Sequence, residues 1–359
     1  MDPKGDPSPQ RVADAIVTAV SEASKAMRPA KIGYGTGQLD ININRDLFAG
    51  GQWLQGPNAE GPSDKTLAVL QVVGEDDLPI AVYMNYAMHP IHFYLSGVVS
   101  ADVPGDAARY VENRFGGDTV AIFAQGAAGD QNPNRLQAMY DLIENRAGIA
   151  NANDKKVSRP GFWIEAAREH NINTTLTAGM AKPVPKERLA AYRAAIARED
   201  ALVAAKGALM GETVLDIMRF GTPTFQTDGS IAGGSEMIQC PGRDRTDRDD
   251  PVREGALPPY TDGAPVSIKE GMLRIGDVYV ASINGEVYNE IATRLKNEAP
   301  ASKLMMTTLA NGMANSGYIY SNAASPHLTF QVISSRLKPG CAEDKIVNAG
   351  TRLIGQLQR

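Results

Sequence analysis

Two apolar runs separated by six residues constrain this chain most. Leu67-Ala-Val-Leu-Gln-Val-Val73 and Ile80-Ala-Val-Tyr-Met-Asn-Tyr86 are rich in β-branched and aromatic residues. Gly74-Glu-Asp-Asp-Leu-Pro79 between them is turn chemistry, so the spacing predicts a β-hairpin and commits the chain to a sheet. Helices are expected around it. Ser8-Pro9 is a helix start, Ser as N-cap and Pro in the first turn, and Val12, Ile16 and Val20 follow at helical spacing as far as Arg28-Pro29. Lys31–Arg45 reads as extended, with Leu39, Ile41 and Ile43 alternating against Asp40, Asn42 and Asn44, and residues 46–64 read as a loop. Further on, helices are predicted over Pro104–Phe115, Lys186–Arg219, Val287–Asn297 and 343–357. Strands are predicted over Thr119–Phe123, 266–274, 277–283 and Lys303–Leu309; 145–182 is weakly helical and 240–263 is a Pro/Gly-rich loop. Strands and helices mix without strict βαβ alternation. The expected class is therefore α/β in the mixed, α+β sense: mixed β-sheets flanked by helices.

Composition excludes several functions. The net charge is -5 and no Lys/Arg block stands out, so nucleic acid is not an expected partner. No stretch approaches the ~18 apolar residues of a membrane span. MDPKGDPSP at the start has no apolar core, so no signal peptide is expected there. Two cysteines, Cys240 and Cys341, allow one disulfide but no zinc knuckle.

Candidate chemistry gathers where apolar strands end. His89 follows the second hairpin strand in Met88-His89-Pro90; a turn histidine satisfied by its neighbours fits the same pattern. His92 completes an H-x-x-H pair, but Pro90 argues against the helix that would bring both rings to one metal, which leaves His92 behind the site or exposed. Glu286 lies past the strand Val278–Ile283 and opens a helix, where a carboxylate suits the dipole whether or not it ligates a metal. Tyr318 sits among glycines in Ser316-Gly-Tyr-Ile-Tyr320, either packed or facing a site. Arg45 closes the ININR run and either solvates or clamps an anion or a carbonyl. Gly126-Ala-Ala-Gly-Asp-Gln-Asn-Pro-Asn134 offers glycines that let a backbone approach closely, followed by Asp130, Gln131 and Asn132.

The order of these segments is more specific than any one of them. NINR (42–45), NYAMHP (85–90), SADVPGD (100–106), FAQGAAGDQNPN (123–134), NGEVYNEIATRLK (284–296), LANG…SGYIYS (309–321) and SSRLKPG (334–340) together resemble the neutral/alkaline non-lysosomal ceramidase family in its catalytic N-terminal domain. The resemblance runs from about Pro9 to Leu357, with 135–262 poorly matched. It implies one catalytic-domain-like unit over 1–359, N-terminally incomplete, with a helical and loop insertion at about 135–262.

The resemblance further implies a zinc-dependent amidase, in a family whose members are often secreted or periplasmic. Carried over by motif, His89, Glu286 and Tyr318 would hold the metal, and Arg45 would lie near the substrate. The family's first histidine ligand belongs to a motif that has no counterpart here. Its GD-x-S-P-N serine is replaced by Asn132 beside Asp130, and a second tyrosine by Phe330. Asparagine is no nucleophile, although its amide can orient a water or a carbonyl, and any attack would fall to a water. The expected substrate is a small-molecule or lipid-like amide. Three readings stand at this level: a zinc hydrolase of an amide or related acyl bond, a truncated or degenerate member that binds a ligand or partner without turnover, and a fold whose motifs only pack the core.

Overall fold

The structure is a computed structural model and describes residues 9–94, 96–147, 184–221, 224–247, 254–312 and 315–358. The hairpin is central to it. Strands β4 (Thr66–Gly74) and β5 (Pro79–Tyr86) pair antiparallel, with Leu70 opposite Tyr83. They join β1 (Ala30–Gln38), the two-residue β8 (Phe225–Gln226) and β6 (Val120–Gln125) in a five-stranded sheet of order β6-β5-β4-β1-β8. Only the β5–β6 pair is parallel among these, so the sheet is mixed.

A second sheet has the order β13-β11-β10-β9, built from β9 (Ile231–Arg245), β10 (Tyr260–Ile275), β11 (Val278–Ile283) and β13 (Leu304–Thr307). Alternation along β4 shows how the layers stack. Leu67 and Val69 point into a core shared with helix α2 (Asp102–Arg114) and the long helix α4 (Leu189–Asp216), where Val103, Val111, Val203 and Met210 are buried. Ala68 and Leu70 point the other way, against Val278 and Met305 of the second sheet. The far face of that sheet is covered by α5 (Asn289–Glu298) and α7 (Ala342–Leu357), through Ile268, Ile283, Ile291, Leu295 and Ile346. The result is four layers, helix–sheet–sheet–helix, with both sheets apolar on both faces. Among the described residues no helix is long and apolar enough to cross a membrane.

Several expectations need correction. The loop expected over 46–64 contains the end of β2 (Asn42–Ala49) and β3 (Gln52–Asn58), a hairpin turning on Gly50-Gly51, both at positive φ. The loop expected over 240–263 is shorter: β9 runs to Arg245 and β10 begins at Tyr260, with a bulge between Gly263 and Val266. Gly242 is required inside that ribbon, because a Cβ there would lie 2.0 Å from the carbonyl oxygen of Ala264. Helix α1 (Pro9–Lys25) forms as the spacing predicts, yet Val12, Ile16, Val17 and Val20 all lie exposed. The stretch 148–183, with His170, lies outside the described residues.

Candidate functional site

Two small ribbons assemble the site. In the three-stranded sheet β3-β2-β7, the short β7 (Gln131–Pro133) pairs with β2, placing Asn132 opposite Ile43 and Gln131 opposite Asn44. In the second ribbon β12 (Glu286–Val287) runs parallel to β14 (Tyr318–Ile319), and Glu286 is directly opposite Tyr318.

The glycine-rich turn joins them. The Gly129 N–H donates to Val287 O at 2.7 Å, and a Cβ on Gly129 would lie 2.8 Å from the Val287 carbonyl carbon. Gly126 lies equally close to the backbone of Tyr86. What approaches the turn is main chain, from β5 on one side and β12 on the other, and only glycine leaves room for it.

His89 is held by the same turn. Its N–H donates to Gln131 O at 3.0 Å, and its Nδ1 lies 3.0 Å from that carbonyl. A carbonyl only accepts, so Nδ1 carries a proton toward Gln131. Nε2 lies 3.0 Å from Glu286 Oε2, a hydrogen bond when Nε2 is protonated and a lone pair open to a cation when the ring is neutral. Burial, then the Arg45 cation, pushes the imidazole below its ordinary pKa, against the pull of Glu286 and Gln131. Burial would raise the Glu286 carboxyl, but His89, the Tyr318 hydroxyl and Arg45 outweigh it and hold the group below the ordinary carboxylate range. Two electron-pair donors therefore converge, with the Tyr318 phenol hydrogen-bonded to the same carboxylate. Burial keeps that phenol protonated beyond its usual range, although Arg45 opposes the shift.

Arg45 and Asn132 form the adjoining wall. The buried guanidinium of Arg45 donates to Gly129 O (2.6 Å) and Asn132 Oδ1 (3.3 Å), and lies 5.2 Å from the centre of the Tyr318 ring. With its amide turned to satisfy both ends, Gln331 donates to Thr329 Oγ1 (3.1 Å) and accepts from Arg45 Nε (2.6 Å) and Nη2 (3.1 Å). Arg45 has no carboxylate within ion-pair distance among the described residues, so its charge is available to a ligand.

Asp130 is placed differently. Its carboxylate accepts from Asn44 Nδ2 (2.9 Å) and from the Asn289 N–H (2.8 Å), tying the turn to β2 and to the start of α5. Burial, with help from Asp46, raises its pKa to about 7. It braces the site, while His89, Glu286, Tyr318, Arg45 and Asn132 are brought together.

His92 is neither exposed nor beside His89. It is wholly buried, its Nδ1 2.5 Å from Glu199 Oε1 and its Nε2 3.3 Å from Lys206 Nζ, both on α4. Sequence reasoning also missed Asp46, His327, Trp53 and Gln331. Asp46 follows Arg45 and was read as the start of a loop; the others had no local pattern to mark them.

The donor set of His89 nitrogen, Glu286 carboxylate and Tyr318 phenol is one that a zinc ion accepts. Among the described residues, no three His, Cys, Asp or Glu side chains converge. Any such ion would have these three protein groups and an open position.

Comparison with known proteins adds a family match over part of the chain. Residues 6–160 match the family described as neutral/alkaline non-lysosomal ceramidase, N-terminal. The fold is ceramidase-like. Neutral ceramidase from Pseudomonas aeruginosa superposes with a TM-score of 0.61 at 14% identity, covering 97% of this chain and 56% of that one. A ceramidase complexed with C2 gives 0.62 at 14% identity, covering 97% and 57%. The chain thus spans a little over half the length of these ceramidase structures, and at that identity the likeness is one of fold. No curated protein matches the sequence. The family match ends at 160, so Glu286 and Tyr318 lie outside the matched segment.

Proposed function

We propose that this ceramidase-like chain is a zinc-dependent hydrolase of an amide or related acyl bond in a lipid-like substrate. The observation that carries the reading is the 3.0 Å approach of His89 Nε2 to Glu286 Oε2, with Tyr318 in register beside them. A neutral imidazole lone pair facing an ionised carboxylate is a cation seat. The chemistry such an ion supplies when bound is polarisation of a carbonyl and a lowering of the pKa of water to about 7.

The chain's own residues supply the rest. Arg45 offers a buried positive charge where negative charge develops on the carbonyl oxygen. Asn132, whose Oδ1 is engaged by Arg45, leaves its amide N–H2 to orient a carbonyl or a water. No side chain in the turn attacks, so the nucleophile is water. The relatives' names, neutral ceramidase and ceramidase complexed with C2, support a substrate that joins an acyl group to an amine.

A second reading, ligand binding without turnover, draws support from Asn132, which cannot form an acyl intermediate. Hydrolysis of a set of N-acyl amides by the zinc-loaded chain separates the two. Turnover that falls by about 10-fold in Asn132→Ala, with substrate orientation lost and the nucleophile intact, supports the hydrolase. Tight binding of the same amides without release of acid or amine supports the second reading.

A further inference from the structure

His327 and Asp46 form a carboxylate–imidazole dyad that the site described above does not use. The two residues are 281 apart in sequence, yet His327 Nδ1 lies 2.9 Å from Asp46 Oδ2. Asp46 is buried and adjoins Arg45 on β2. Its carboxylate also accepts from the Tyr288 hydroxyl, at 3.3 Å to Oδ1 and 3.2 Å to Oδ2. The hydrogen bond to Asp46 places the ring proton on Nδ1 and leaves Nε2 as an acceptor. Trp53 fixes the plane of the ring: the indole stacks on the imidazole with centroids 3.7 Å apart and an interplanar angle of 19°. The ring remains within reach of a ligand, with 21% of the His327 side chain exposed.

The backbone beside the dyad is strained toward this arrangement. Leu328 has φ +48°, a left-handed conformation that a branched side chain rarely adopts. The strained residue aims His327 at Asp46, while the next turn brings Phe330 and Gln331 to the site. The Phe330 ring is 6.1 Å from that of Tyr318, and Gln331 is hydrogen-bonded to Arg45. Glu254 fastens the segment by accepting from the N–H groups of Phe330 and Gln55, each at 2.8 Å. Asp46 is the charged group bonded to the ring, with Tyr288 on the same carboxylate; Arg45 adjoins Asp46 in the chain, and Glu254 holds the segment that follows.

We propose that His327 is the proton-transfer residue of this site, with Asp46 and Trp53 as its positioning residues. The proposal rests on the hydrolase reading given above. The oxygen of the attacking water bonds to the carbonyl carbon, and one water proton passes to His327 Nε2. The C–N bond then breaks with its electron pair on nitrogen, and Nε2 hands that proton to the nitrogen. The products are a carboxylic acid and an amine, and the imidazole ends neutral as it began. The aromatic flank of Trp53 and Phe330, with Phe48 edge-on to Trp53 at 5.3 Å, suits an amide with an apolar substituent.

His327→Asn tests this. Asparagine keeps an N–H near the place of Nδ1, so the contact with Asp46 and the fold are retained, and it has no basic nitrogen to replace Nε2. The zinc-loaded full chain is assayed with N-acyl amides across pH 5 to 9. The expected result is a kcat lower by roughly 100- to 1000-fold, with KM within about twofold. The acid limb of the pH–rate profile should disappear, and added imidazole should partly restore the activity of His327→Ala. An active wild-type chain whose His327→Asn variant keeps both kcat and the acid limb overturns this proposal alone. A zinc-loaded wild-type chain that hydrolyses no amide overturns it together with the hydrolase reading.

Discussion

Glu270 is the most costly single residue in the core. It is fully buried on β10, neither carboxylate oxygen has a hydrogen-bond partner, and burial raises its pKa to about 9. The folded state holds the proton up to about pH 9, whereas the unfolded state releases it near the ordinary 4.5. Stability contributed by this group is therefore full below about pH 4.5 and is lost as the pH rises toward 9. Asp130 and Glu254, both raised to about 7, act in the same direction between the ordinary carboxylate range and neutrality. Glu270→Met should raise stability by on the order of 3 kcal/mol at pH 8 and by much less at pH 5. Urea unfolding at the two pH values checks this, and an equal gain at both would refute it. At this scale the motif residues were legible because strand ends and glycine turns mark them locally. The asparagines of ININR read only as the polar half of an alternation, with no hint of burial. Asn42 and Asn44 are buried, and bond the carbonyls of Ala87 and Pro62 and the carboxylate of Asp130. Asp46 and His327 meet across 281 residues, a contact no local window contains.

Helix α4 holds two loops of the site at once. Glu199 grips the 89–92 loop through His92, and Lys206 donates both to His92 Nε2 and to the carbonyl of Asn134, at the end of the turn. Burial lowers the Lys206 pKa to about 8, against the pull of Glu199 and Asp102. Lys206→Met leaves the buried His92 Nε2 and the Asn134 carbonyl without their partner, at a cost of roughly 1–3 kcal/mol for each group left unsatisfied. Amide hydrogen exchange over 89–94 and 131–134 should accelerate in the variant more than exchange in β4. Unchanged protection in those two loops would mean that α4 does not brace the site. The helix itself was legible over 186–219 from composition, but its role was not, because its polar contacts lie on a helix of mixed face. The β2–β3 hairpin carried a readable signal in Gly50-Gly51 that the surrounding Gly, Pro and Asn residues obscured. The β9–β10 ribbon was hidden by the glycines and prolines around its bulge; Gly242 is needed there because a Cβ would meet the Ala264 carbonyl.

One covalent link ties the second sheet to the helix that covers it. Cys240 of β9 and Cys341, just before α7, form a disulfide across 101 residues. Closing a loop of that length is worth about 4–5 kcal/mol in the chain-entropy account. Reduction should lower the melting temperature by several degrees, and a melt unchanged by reductant would refute the estimate. The mixed four-layer architecture followed from hydrophobic runs in the sequence, whereas the site depends on how two short ribbons meet at the strand ends. On the proposed hydrolase reading, His89 and Glu286 face each other as two ligands of one zinc ion. The direct measurement is zinc titrated into the metal-stripped full chain by calorimetry, alongside His89→Ala and Glu286→Gln, with circular dichroism to confirm folding. The account expects one zinc per wild-type chain and at least about 100-fold weaker binding in each variant. A folded wild-type chain that binds no zinc, or variants that bind it as tightly as wild type, would contradict it.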